Sequence, residues 1–340
     1  MPIPIQIKDL IDRKDIGAIF LNQKGLSSIE VAGKPQELFE VLNWTEILRW
    51  LESLIPEKQT THSSSLYTSE WGHVTWIHSL DHNVVKIEKN SAITITPEKL
   101  VQYGLCSTEM IEFIQLAFKS SANIVFSANS ASMLHFPLRS FLGDFSSNPS
   151  SLVVSNSSKI PFLGQNVEQF KYATRDYYGL AFALREMNHD RILFYDSEPE
   201  LIFAVTNRFN SNFCGHTWLV SASSNEDCYH HFNLQLRQGA YPVNLNTQET
   251  NSLLDRSIHL MINIARFPDG LRRISEISVL HDGKLKPLCG FQPSAMDDNG
   301  NITGTFGWSG EFPVLLNYFQ DDELTPALRQ LKTILKKKVS

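Results

Sequence analysis

Cysteine is scarce. The 340 residues hold four, Cys106, Cys214, Cys228 and Cys289, far apart and none in a C-x-x-C pair. That excludes a disulfide framework and implies free thiols in a reducing compartment. No stretch approaches the roughly 18 apolar residues of a membrane span. The N-terminal MPIPIQIKDLIDRK has no apolar core of signal-peptide length. The expected location is therefore cytoplasmic. Basic excess is also missing: Lys plus Arg is 30 against 36 for Asp plus Glu, a formal charge of −6. A dedicated nucleic-acid binder needs a basic footprint, so no nucleic-acid partner is expected. There is no H-E-x-x-H, no G-x-S-x-G and no internal repeat. His73, His78 and His82 have no zinc-site spacing and no cysteine nearby, and Tyr229-His230-His231 lacks the partners of a metal helix. No metal site is expected.

What is present fits a globular protein: 42% apolar and 19% charged residues, at a length that suits two domains. IGAIFL (16–21) and SIEVA (28–32) read as short strands around Gln23-Lys24-Gly25. Leu38, Leu42, Ile47, Leu48, Leu51 and Ile55 recur at the helical period, so a helix is expected from about Glu37 to Ile55, bracketed by Pro35 and Pro56. Trp44 and Trp50 belong to its core stripe. From Ser63 to Ile95 the pattern alternates, as in HVTWIH and NVVKIEK, which is strand territory. Residues 1–95 thus form a small α+β N-terminal domain, and 96–106 read as a linker.

The remainder, 107–340, has another rhythm. Ser107 is a plausible N-cap for a helix over 107–119, with Glu109 in its first turn. NIVFS (123–127), SLVVS (151–155), RILFY (191–195) and TWLVS (217–221) are short, continuous apolar runs. Helical patterns near 136–143, 176–188, 198–208 and 226–237 separate them. Such alternation predicts an α/β fold with a parallel sheet covered on both faces. A helix near 248–258 precedes LMINIARF, Pro268-Asp269-Gly270 and LRRISEISVL. Proline presets one turn residue and glycine permits positive φ, so a hairpin is expected over 259–280. A further turn is expected at Asp282-Gly283. Helices near 312–320 and 324–337 close the chain, and the lysines of LKTILKKKVS complement the last helix end.

The segment ARFPDGLRRISEISVL (265–280) resembles a hairpin motif, R-x-P-D-G-x-R-R-V-x-E-I, of the CpaF-like secretion ATPases. Those drive Tad-pilus and type II/IV secretion motors. In this chain the motif stands on Arg266, Pro268, Asp269, Gly270, Arg273 and Glu276. IGAIFLNQKGLSSIEV resembles the family's N-terminal strand pair. TPEKLVQYGLCSTEMIEFIQLAFKSSANIVFS resembles its linker, first core helix and first core strand, and GTFGWSGEFPVLLNYF its C-terminal ending. The resemblance implies a RecA-like, P-loop-type core behind the N-terminal domain, assembled as an oligomer.

It also implies chemistry at fixed places, and the residues there have changed. The phosphate loop falls on Ala128, Asn129, Ser130, Ala131, Ser132, Met133, Leu134 and His135. Ala128 and Met133 stand for glycines, Leu134 for the lysine, and His135 for the Mg²⁺-binding hydroxyl. The acidic box falls on Asn156 and Ser157, and asparagine is no general base. RILFYDSEP aligns with the Walker B strand, with Asp196 at its acid, Tyr195 at a glycine and Glu198 at an arginine. GHTWLVSASSNED keeps Gly215 and His216 of a histidine box and has Ser224 near the later histidine. Arginines of the N-terminal domain are replaced by Glu88, Thr68 and Val74. The resemblance therefore implies a degenerate ATPase with no catalytic residue and no cofactor, acting as a structural or regulatory part of a secretion or pilus motor. Expected partners are motor proteins, including an active ATPase homologue, in a homo- or hetero-oligomer. It would sit at the inner face of the inner membrane and touch the membrane only through them. The alternative is a divergent ATPase that still binds ATP and Mg²⁺.

Overall fold

The computed structural model describes residues 2–13, 15–31, 34–38, 42–54, 63–68, 72–78, 82–89, 96–129, 151–155, 167–172, 175–187, 189–195, 197–208, 215–281, 283–298, 300–309, 324–326, 328–330 and 332–333. Two compact units emerge, one built on Met1–Thr94 and one on Ile95–Ser157, Leu163–Pro268 and Arg272–Ser340.

In the first unit, helix α1 (Ile5–Asp12) leads into strands β1 (Ile16–Asn22), β2 (Ser27–Val31) and β3 (Lys34–Leu38). Helix α2 (Trp44–Leu54) and strands β4 (Ser63–Thr68), β5 (Gly72–His78) and β6 (Asn83–Lys89) follow. The six strands form one antiparallel sheet in the order β3-β2-β1-β6-β5-β4. Alternate residues Ile19, Leu21, Ile29, Val74, Val85 and Ile87 face Ile7, Leu10 and Ile11 of α1 and Ile47, Trp50 and Leu51 of α2. Burying each such side chain contributes roughly 1.5–3 kcal/mol. The helix expected from Glu37 starts only at Trp44. Lys34–Leu38 pairs with β2 instead, Val31 opposite Lys34 and Ser27 opposite Leu38. Proline is tolerated on such an edge strand, and Leu38 and Leu42 still pack against the core.

The second unit opens with a helix where a linker was expected. Helix α3 (Pro97–Gln102) has Pro97 at its first position, where the missing N–H costs nothing. Helix α4 (Thr108–Lys119) is capped by Ser107, whose side chain accepts from Met110 N at 3.3 Å. Strands β7 (Ile124–Ala128), β8 (Ser151–Ser155), β9 (Val167–Lys171), β10 (Arg191–Tyr195), β11 (His216–Ser221) and β12 (Leu260–Arg266) run parallel. Helices α5 (Tyr177–Glu186), α6 (Pro199–Arg208), α7 (Asn225–Gly239) and α8 (Thr247–Ser257) lie between them in the chain. Antiparallel strands β13 (Arg272–His281), β14 (Lys284–Met296) and β15 (Ile302–Trp308) extend the sheet to nine, in the order β15-β14-β13-β12-β7-β11-β10-β8-β9. The long β14–β15 hairpin and the polar edge strand β9 had no counterpart in the sequence reading.

All five residues of β7, β8 and β10 are buried, as expected for strands covered on both faces. Val125 joins a core cluster with Leu180, Leu201, Phe232 and Leu254 of α5 to α8. The next residue, Phe126, points the other way and stacks on Phe118 of α4, with centroids 6.1 Å apart. The helix expected near 136–143 and the one near 312–320 lie outside the described residues. Of the last helix, Pro326, Leu328–Gln330, Lys332 and Thr333 are described and helical.

Candidate functional site

In open parallel sheets, ligands bind outside the C-terminal ends of the strands where successive connections diverge. The connection from β7 leads towards β8 and that from β11 leads past β7 to β12, so the place to look is beyond β7 and β11. Their ends are level: Ala128 is opposite Ser221 on one side and Ile264 of β12 on the other. Ala222 N donates to Ala128 O at 2.9 Å and extends the pairing by one step.

Just below this edge runs a polar seam that the sequence reading missed. Asn263 Nδ2 donates to Ser127 Oγ at 2.9 Å and lies 3.4 Å from Ala222 O. Its Oδ1 accepts from Ser275 Oγ at 2.6 Å. One carboxamide thereby ties β12 to β7, β13 and the end of β11. Nearby, buried Asn225 donates to Met261 O at 3.0 Å, Ser278 Oγ at 3.1 Å and Glu276 Oε1 at 3.3 Å. Glu276 also accepts from Ser278 Oγ. Isolated asparagines carry no spacing signal that would reveal such a seam.

Ala128 closes β7 and Asn129 follows it, exposed. Ser130, Ala131, Ser132, Met133, Leu134 and His135 lie outside the described residues, as do Asn156, Ser157 and Asp196. Around them, Ser155 O at the end of β8 accepts from Tyr172 N at 3.1 Å. The Tyr172 hydroxyl donates to Glu198 Oε2. Burial and the Glu198 carboxylate push the Tyr172 pKa up. Tyr177 stands edge-on to Tyr172 at 6.4 Å. Glu198, which the resemblance sets at an arginine place, accepts from a phenol here. Beyond it, Glu200 lies in the first turn of α6, and Glu226 and Asp227 in the first turn of α7. Helix N-termini that would favour a phosphate carry carboxylates instead.

The histidine-box pair lies at the opposite end of its strand. His216 is the first residue of β11, five residues or roughly 16 Å from Ser221. Burial, then Arg191 and His259, lower its pKa to about 3. It packs edge-on against Phe194 at 5.5 Å. Gly215 has φ +70°, and a Cβ there would meet Asp190 O at 2.1 Å, so this glycine serves the turn before β11. Ser224, near the later histidine place, caps α7 by accepting from Asp227 N at 3.0 Å. Val74, at an N-terminal arginine place, is a core residue of the first unit.

Arg191 begins β10 and is buried. It donates to Phe118 O at 2.9 Å, Ala122 O at 3.2 Å and Thr217 Oγ1 at 2.8 Å, and lies 4.2 Å from the Phe118 ring centroid. Burial lowers its pKa to about 9. A cation there complements the C-terminal end of α4. Beside it, Asn123 N donates to His259 Nδ1 at 2.8 Å, and Asn123 Oδ1 accepts from His216 N at 3.0 Å.

The hairpin motif is mostly spent on structure. Asp269 Oδ1 accepts from Leu271 N at 3.0 Å within the turn, and Gly270 has φ +82°. Arg273 is buried, its guanidinium 5.1 Å from the Phe267 centroid and 4.5 Å from that of Phe291, and Nη2 donates to Ile302 O at 3.0 Å. Arg266 stays exposed at the end of β12. Among the described residues no group of three His, Cys, Asp or Glu side chains is placed to hold a metal, and no helix is long and apolar enough to cross a membrane. Beyond β10 and β11 the described carboxylates Glu198, Glu200, Glu226 and Asp227 outnumber the cations, with Arg175 close enough to Tyr177 to act on its hydroxyl, and a set dominated by carboxylates does not fit the phosphate chain of a nucleotide.

No protein-family model and no curated protein matches the chain. Among solved structures it is similar to the pilus retraction motor PilT with bound ADP, with a TM-score of 0.55 and 14% identity over 82% of this chain and 84% of that one. It is also similar to the ATPase DotB of Legionella pneumophila, with a TM-score of 0.52 and 14% identity over 98% and 88%. For the ATPase DotB of Yersinia pseudotuberculosis the TM-score is 0.53, with 11% identity over 99% and 87%. The mixed α/β chain shares the fold of these ATPases.

Proposed function

We propose that the chain belongs to the secretion-ATPase superfamily, near its CpaF-like branch, with a RecA-like core that has lost ATP hydrolysis. It acts as a structural or regulatory component of a Tad-pilus or type II/IV secretion motor. Two things support this: the fold shared with PilT and DotB, and the hairpin motif in its expected place. The observation that carries it is the strand edge itself. Where the resemblance places an arginine, Glu198 stands tied to Tyr172, and the described helix starts beside it carry Glu200, Glu226 and Asp227. An ATP polyanion at that edge meets carboxylates, and the sequence supplies no loop lysine against them.

The role that follows is contact with other motor proteins, including an active ATPase homologue, on the cytoplasmic side of the inner membrane. The test is a titration with a fluorescent ATP analogue and Mg²⁺, alongside a phosphate-release assay. Affinity weaker than about millimolar and no turnover are expected. Micromolar, Mg²⁺-dependent binding with turnover overturns the proposal in favour of a divergent ATPase. Co-purification with a motor ATPase tests the role.

A further inference from the structure

We infer that the exposed seam between α5 and α6 is a docking surface for an acidic amphipathic helix of another protein; this deepens the motor-component reading, which supplies the setting. Leu180, Ala181 and Leu184 bury one face of α5 in the core. The other face carries Tyr178 and Phe182, four residues apart and so neighbours on the helix surface, with Met187 at the C-cap. These three are 54%, 48% and 49% exposed. Neighbours hold them in place. Tyr178 stands edge-on to buried Phe203 of α6 at 6.4 Å. The guanidinium of Arg208, the last residue of α6, lies 5.2 Å from the Phe182 centroid. Arg185 follows Phe182 by three residues and flanks it from α5 itself. Single exposed apolar side chains are ordinary on a monomer, but here two rings, a methionine and two arginines run together along one stripe.

Charge decides the occupant. A basic residue in the last turn complements the helix dipole, which accounts for either arginine alone but not for the rings beside them. Among the described residues neither Arg185 nor Arg208 is in an ion pair. The last two turns of α5 and α6, LAFALRE and IFAVTNR, set a single carboxylate, Glu186, against them. A second copy seated on the same stripe about a two-fold axis would bring arginines towards arginines, so self-pairing is unfavourable. A helix whose apolar edge is flanked by Asp or Glu fits instead. Its apolar side chains cover Tyr178, Phe182 and Met187, and its carboxylates meet the guanidinium forks. Aromatic residues, Met and Arg are also the types in which protein interfaces are enriched.

The experiment uses the full chain and two labelled helical peptides read by fluorescence anisotropy. The peptides share one leucine stripe, flanked by glutamate in one and by lysine in the other. The acidic peptide should bind more tightly than the basic one, with the difference shrinking as salt is added. R185A and R208A should each weaken the acidic peptide by about fivefold. F182A should weaken it by about tenfold. The double reversal R185E/R208E should exchange the preference, so that the basic peptide binds better. Both arginines are exposed, so the reversed protein should keep the wild-type unfolding midpoint, and its result stands even where F182A fails to fold. Equal binding of the two peptides, or a preference that the double reversal does not move, overturns the proposal. So does binding to phosphatidylglycerol vesicles, lost in R185E/R208E, in a protein that takes neither peptide; that assigns a lipid surface. Concentration-dependent dimerisation in sedimentation that F182A abolishes also overturns it and assigns a second copy. Failure to co-purify with a motor ATPase, with the peptide preference intact, would instead defeat the motor role and leave the surface standing.

Discussion

The two ends of the parallel sheet have been furnished in opposite ways. At the N-terminal ends of the strands, basic side chains serve packing: buried Arg191 donates to the end of α4, buried His216 packs edge-on against Phe194, and half-buried His259 accepts from Asn123 N. At the C-terminal ends, around β10 and β11, carboxylates predominate among the described charged side chains, with Glu198 bonded to Tyr172 and Arg175 near Tyr177. The first end is what the fold needs to close. The second is where a ligand of an open parallel sheet would be met.

Substitutions and pH should separate the two ends. The largest effect is expected for Arg191→Ala. It leaves Phe118 O and Ala122 O without that donor and opens a gap against the Phe118 ring, costing about 3 kcal/mol or more in urea unfolding. Retention of wild-type stability would show that the N-terminal end is not the structural one. Acid comes next. His216 and His259 have folded pKa values lowered to about 3 and about 4, chiefly by burial. An unfolded histidine titrates near 6.5, so below that pH the unfolded chain binds more protons and the folded one loses stability. The loss should be present by pH 5, at roughly 2 kcal/mol per histidine, and continue towards pH 4. H216Q should flatten the slope of stability against pH over that window; an unchanged slope would remove His216 from this account.

Gly270→Val tests the turn beyond β12. Positive φ at a β-branched residue should cost about 1–2 kcal/mol, read as a lowered denaturation midpoint. The smallest change is expected at the C-terminal edge of the parallel strands. Glu198→Gln keeps an acceptor for the Tyr172 hydroxyl and should shift stability by under about 1 kcal/mol. A loss as large as that of Arg191→Ala would abolish the contrast between the ends.

Much of the core was legible because its signals are local. The apolar runs of β7, β8, β10 and β11, the Ser107 cap and the Pro-Asp-Gly turn each declare themselves within a few residues. Where partners came from afar, the sequence was mute or misleading. Leu38 and Leu42 continue a helical period, yet ladder bonds to β2 draw Lys34–Leu38 into a strand. β9 (VEQFK) is polar because it lies at an edge, and the outer half of β14 is exposed, so neither shows an apolar run. At the candidate site the residue types were readable and their directions were not. His216 was readable as a histidine-box residue, and only its strand shows that it lies at the far end from Ser221. Arg266 and Arg273 look alike in the motif, and only the pleat and two phenylalanines separate an exposed guanidinium from a caged one.

The strap made by Asn263 also bears on how the molecule opens and forms. β7 has β11 on one side and receives its other neighbour only when β12 arrives, with Asn123 and His259 lying 136 positions apart in the chain. Asn263 then fastens that late arrival to Ser127 and reaches towards Ala222. The central strand therefore cannot shed the C-terminal hairpin as a frayed end. Amide exchange in β7, β11 and β12 should rise and fall as one cooperative block, and a nascent chain ending before β12 would still hold its middle strand as an open edge.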